Sequence, residues 1–79
     1  MLDYRKTGAN GTVAEYEYAI EGNWSDAGHV LIDAKTGKAE MADRGGSIRH
    51  ARYASKLISE LEYRAASGSI PDSGTVMWY

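Results

Sequence analysis

Ile48 to about Ser67 is the one stretch of this chain long enough, without glycine or proline, to form an extended helix. Within it Ala51, Ala54, Leu57, Ile58, Leu61 and Ala65 fall on one stripe at helical spacing, the pattern of a helix laid against an apolar layer. Lys56, Glu60 and Arg64 stand four apart on the other side, where each can pair with the next. Ser47 is a suitable N-cap and Gly68 a suitable stop. The spacing predicts a helix of about 20 residues, roughly 30 Å long. Elsewhere glycines cut the chain into shorter segments, so the layer that receives this helix must be a sheet.

Thr12 to Ile20 alternates, with Ala14, Tyr16, Tyr18 and Ile20 on one face and Val13, Glu15, Glu17 and Ala19 on the other. A period of two in β-forming residues reads as a strand. Leu2 to Gly8 is its expected partner, closed through Ala9-Asn10-Gly11 with Gly11 left-handed. That register pairs Gly8 with Thr12, Tyr4 with Tyr16 and Leu2 with Tyr18, and sets Arg5 opposite Glu15. A two-residue Asn-Gly turn would shift the pairing by one and place Asp3 and Arg5 among the tyrosines. A second hairpin is expected from Gly28 to Asp43 around Ala34-Lys35-Thr36-Gly37, pairing Asp33 with Lys38. It puts Val30, Ile32, Ala39 and Met41 on one face, with Leu31 and Glu40 on the other. Pro71-Asp72-Ser73-Gly74 reads as a turn and Thr75 to Tyr79 as a last strand. The expected fold is α+β: an antiparallel sheet of four to five strands with one helix on one face, in the order β-β-β-β-α-β, as a single domain over residues 1–79.

The charge distribution narrows the functional classes. The formal net charge of −2 divides unevenly: residues 1–43 carry eight acids and four bases, residues 44–79 three acids and five bases. There is no cysteine, hence no disulfide framework and no thiolate chemistry. Charges at Asp3, Arg5 and Lys6 interrupt what would be the apolar core of a signal peptide. No apolar run approaches the roughly 20 residues that span a bilayer. The expected setting is the cytoplasm, with no membrane partner.

Catalytic and metal-binding readings find little support. Ser25, Asp26 and His29 lie close in sequence but lack an oxyanion-hole motif. His29 and Asp33 share a strand face about 13 Å apart, too far to ligate one ion. Lys35-Thr36-Gly37-Lys38 lacks the rest of a phosphate-binding loop. The Asp-Ala-Lys-Thr-Gly-Lys hairpin resembles one found in PepSY-type domains, though turn chemistry alone produces it. A non-enzymatic protein with no cofactor and no metal is therefore expected.

Two charged surfaces remain as candidates. Glu15, Glu17, Glu21 and Glu40 form an acidic set on and beside the sheet, suited to a basic protein groove. Arg44, Arg49, His50, Arg52 and Lys56 form a basic set around the helix start, suited to anions or nucleic acid. Both also admit the plainer reading of solvated or internally paired charge. The sequence pI of 5.6 argues against direct nucleic-acid binding. Trp24, Tyr53, Tyr63, Trp78 and Tyr79 exceed what a core of this size needs, and such residues serve as interface anchors. A strand ending Val-Met-Trp-Tyr could add to another subunit's sheet edge and form a homodimer.

In build the chain resembles small phage- or prophage-encoded inhibitors of the anti-CRISPR kind. The likeness is carried by a short acidic cysteine-free domain, by Thr12-Val13-Ala14-Glu15-Tyr16-Glu17-Tyr18 as a charged sheet face, and by the single helix from Ile48 to Ser67. It covers the style of the whole chain and transfers no functional residue by motif. The resemblance implies a stoichiometric inhibitor of a type I surveillance complex, acting in the host cytoplasm where DNA or a recruited nuclease would bind. The alternative is a small nucleic-acid-associated accessory protein that binds through the basic helix start.

Overall fold

A computed structural model describes residues 1–43 and 48–77, with side chains described for 1–42 and 52–77. Five strands and one helix follow each other as β1 (Leu2–Asn10), β2 (Val13–Ile20), β3 (Gly28–Asp33), β4 (Lys38–Asp43), α1 (Ile48–Ala66) and β5 (Ser73–Val76). The sheet order is β4-β3-β2-β1-β5, with every neighbouring pair antiparallel. The α+β architecture and the element order are those the sequence pattern predicts. The glycine-free segment forms the helix, and Gly68 just beyond it takes a positive φ of 109°, the conformation in which helices commonly stop.

The core lies between α1 and one sheet face. Leu2, Tyr4, Tyr16, Tyr18, Ile20, Val30 and Ile32 line the sheet side, and Ala54, Leu57 and Leu61 descend from the helix. Ile58 and Ala65 pack at the margin of this cluster. One transverse row organises it. Gly28 stands opposite Tyr18, Tyr18 opposite Tyr4, and Tyr4 opposite Gly74. The two phenol rings lie over the two glycines: a methyl group on Gly74 would meet Tyr4 Oη at 2.6 Å, and one on Gly28 would overlap the Tyr18 ring. Tyr16 meets Tyr4 edge-on at 5.8 Å between ring centroids, a favourable aromatic geometry. Its hydroxyl donates to the Pro71 carbonyl at 3.1 Å, tethering the connection from α1 to β5.

The second hairpin has the predicted register: Asp33 opposite Lys38, Ile32 opposite Ala39, Leu31 opposite Glu40 and Val30 opposite Met41. The first hairpin differs. Its loop is Gly11-Thr12, with Asn10 opposite Val13 and Gly11 at a φ of 65°. That loop alone would carry Arg5 onto the tyrosine face. A bulge at Thr7 absorbs one residue, so that Tyr4 pairs with Tyr18 and Leu2 with Ile20. The expected faces are thus restored at a register two residues away, and Arg5 stands opposite Glu17 rather than Glu15. The last strand also begins earlier than the pattern suggested. Ser73 and Gly74 pair with Arg5 and Tyr4, because Gly74 is the residue that leaves room for the Tyr4 ring. Residues 78 and 79 of the expected strand lie outside the described residues.

Gly28→Ala must displace the buried Tyr18 ring, and overpacking of this kind costs about 2 kcal/mol. For a domain this small the melting temperature is expected to fall by roughly 10 °C. Gly8→Ala has open space around it and no positive φ, so thermal denaturation should show it unchanged or slightly more stable.

Candidate functional site on the outer sheet face

The sheet face away from α1 carries the charged residues that alternation turns outward. Across its middle, Arg5, Glu17 and His29 stand in one row on β1, β2 and β3. Arg5 Nε donates to Glu17 Oε1, and His29 Nε2 lies 3.8 Å from Glu17 Oε2. Glu17 is therefore enclosed by its partners, with 16% of its side chain exposed. The Arg5 guanidinium also lies 4.2 Å from the centre of the Trp24 ring, a stacked cation–π contact. Trp24 opens a short 3₁₀ turn, Trp24–Asp26, that packs against β2. Ala19, on the outward side of β2, is fully buried. Glu21 Oε1 accepts from the Met1 amino group at 2.8 Å.

A parallel row has a different character. Glu15, Leu31 and Glu40 are direct neighbours on β2, β3 and β4. At strand spacing the two glutamates stand about 10 Å apart with the leucine between them. Leu31 is half-buried, and Val13 beside it also lies on this face. Shallow depressions open on both sides of this apolar pair. One, of about 450 Å³, is bordered by Gly8, Asn10 and Glu15. The other, of about 360 Å³, is bordered by Asp33, Lys38 and Glu40. Neither Glu15 nor Glu40 has an ion-pair partner among the described residues.

The four acids grouped by sequence thus divide into two kinds. Glu17 and Glu21 are neutralised within the chain, whereas Glu15 and Glu40 keep their charge available. Val13, beside the row, was not among the sequence candidates, although its place in the alternation marks it. Asp33, which the sequence offered only as an unsuitable metal partner of His29, also borders the row: its Oδ1 accepts from the Lys35 amide at 2.9 Å. That bond, followed by one from the Thr12 hydroxyl, holds its carboxyl below the ordinary aspartate value. The Ala34 amide donates to the Thr12 carbonyl at 2.8 Å, so the two hairpin tips are fastened together at this corner.

Of the basic set, Arg44 and the side chains of Arg49 and His50 lie outside the described residues. Arg52 and Lys56 are exposed on α1, in the layer opposite the outer sheet face. Among the aromatics, Tyr53 packs against the core while Tyr63 is 66% exposed. Trp78 and Tyr79 lie outside the described residues. Among the described residues no group of three His, Asp or Glu side chains could hold a metal ion. Nor is any helix among them long and apolar enough to cross a membrane. No family model, no curated protein and no solved structure matches the chain.

The lowered pKa of Asp33 fixes the sign of a pH effect. A carboxyl whose folded pKa is depressed contributes stability above its unfolded value, and that contribution is lost as pH falls through the folded value. Denaturation midpoints of the parent chain should therefore decline as pH drops below about 4. Asp33→Asn should be less stable at pH 7 and show a shallower decline across the same range.

Proposed function

We propose that the protein is a non-enzymatic binding protein whose outer sheet face docks on a basic, nucleic-acid-binding groove of another protein. The supporting observation is the Glu15–Leu31–Glu40 row. On a face where Glu17 is paired to Arg5, Asp3 accepts from the Thr75 hydroxyl at 2.7 Å and Asp33 is engaged by the Lys35 amide, these two carboxylates alone flank an apolar centre without an ion-pair partner among the described residues. An apolar contact rimmed by like charge suits a complementary protein surface. The charge steers encounter and register, and burial of Leu31 and Val13 holds the complex. With the net charge at only −2, the reading favours steric occupation of such a groove over imitation of a phosphate backbone. The resemblance to anti-CRISPR inhibitors makes a type I surveillance complex the partner to test, in the cytoplasm of a phage-infected host.

With a purified type I complex and labelled target DNA, an equimolar amount of the protein is expected to abolish the gel shift. The double variant Glu15→Lys/Glu40→Lys should need at least tenfold more, equivalent to about 1.4 kcal/mol, and Arg52→Glu on the other layer should act like the parent chain. Undiminished DNA binding at tenfold excess of the parent chain would overturn the surveillance-complex reading. Equal inhibition by the double variant would overturn the role of the row.

A further inference from the structure

The two edges of the sheet are finished differently. On β4 the outward Ala39 amide donates to Glu62 Oε2 of α1 at 2.9 Å, so a helix side chain occupies an edge donor and blocks strand addition there. Lys38 and Glu40 add charge to the same strand. On the opposite side the Lys6 amide donates to the Asp72 carbonyl at 2.7 Å, which fixes the phase of the β1–β5 ladder. Alternation then turns the backbone groups of Gly74 and Val76 toward β1 and those of Ser73, Thr75 and Met77 outward. Among the described residues none bonds to these outward backbone groups.

We propose that this free β5 edge pairs with β5 of a second copy of the chain, about a two-fold axis at Thr75. Such pairing is isologous: Thr75 meets Thr75, and Ser73 of each copy meets Met77 of the other, so the same three outward residues satisfy one another. Ser73 to Met77 contains no charged residue, so no like charges oppose across the axis. Pairing also accounts for Met77, which is 59% exposed and one of the few large apolar side chains left open among the described residues. In the paired sheet it stands beside Ser73 of the second copy, in the row that continues to Arg5. In that row the aliphatic stem of Arg5, whose guanidinium stacks on the Trp24 ring, offers apolar surface. The inference is independent of the reading of the outer sheet face.

A contact of one short strand belongs with weak interfaces, and sedimentation equilibrium over about 10 µM to 1 mM suits that range. The weight-average mass is expected to rise with concentration from 8.6 kDa toward twice that value. Thr75→Pro removes an outward amide and leaves the β1 ladder intact; Met77→Lys places a charge on the edge without touching the core. Each is expected to weaken association at least tenfold with an unchanged circular dichroism spectrum, and Met77→Lys decides the matter should Thr75→Pro fail to fold. A monomer mass at every concentration overturns the proposal, as does association that persists undiminished in Met77→Lys.

Discussion

Two tyrosine rings lying over two strand glycines set the geometry on which the rest of this fold depends. Tyr18 and Tyr4 are adjacent across the central strand pair, and each leans outward over a glycine on the next strand, Gly28 and Gly74. The arrangement spans four of the five strands with two side chains. It lets each phenol extend over the neighbouring strand, and Ala54, Leu57 and Leu61 of α1 join the same core. It also fixes which strand can follow the helix. β5 must present a residue without a side chain opposite Tyr4, and Gly74 is that residue. A glycine weakens a strand by its lost entropy and packing; here the phenol ring fills the space and offsets that cost.

The Thr7 bulge follows from the same requirement. Glycine at position 11 permits a two-residue loop, and such a loop joins Asn10 to Val13. Carried down the strands without correction, that pairing would bury Asp3 and Arg5 and expose the β1 tyrosine. Unpaired charges in an apolar core are far more costly than one irregular residue in a ladder. The extra residue is therefore accommodated at Thr7, where the hydroxyl donates to the Glu15 carbonyl at 3.2 Å beside the locally altered ladder. The face on which a side chain lands is decided by core composition, while the register and the loop are decided by local turn chemistry. The bulge reconciles the two.

This division explains what was legible in the sequence. Faces and element types were readable because Tyr16, Tyr18 and Ile20 alternate with Glu15, Glu17 and Ala19, and because the Leu57, Leu61 and Ala65 stripe has helical period. The second hairpin was readable from the Asp33–Lys38 pair to the Val30–Met41 pair, since Asp33, Gly37 and the Asp33–Lys38 charge pair all favour one register. The irregularity beyond it, where His29 pairs with Asp43, and the register of the first hairpin were not readable, because a bulge leaves no mark in a pattern of period two. Gly74 read as part of a turn, since its role depends on a tyrosine seventy residues away. On the outer face, sequence grouped Glu15, Glu17, Glu21 and Glu40 as one acidic set. Separating them required knowing that Arg5 faces Glu17 and that Met1 reaches Glu21, both consequences of the β1 register.

The outer face and the two edges consequently serve different ends. Arg5, Glu17, His29 and Trp24 form a self-contained polar block that fastens β1, β2 and the 3₁₀ turn together and has little charge left to offer. The Glu15–Leu31–Glu40 row lies toward the β4 side, where Glu62 has already closed the edge, so a partner there meets a face and not a strand. The β5 side has the reverse character, an uncharged open edge with no apolar row above it. A pair of chains joined at that edge would set their two Leu31 positions seven strand spacings apart, about 34 Å along the sheet before twist. Two such sites on one rigid sheet would engage a partner bivalently only where its own basic sites match that separation. In that arrangement the spacing fixed by the strand order, more than the small net charge, selects the partner.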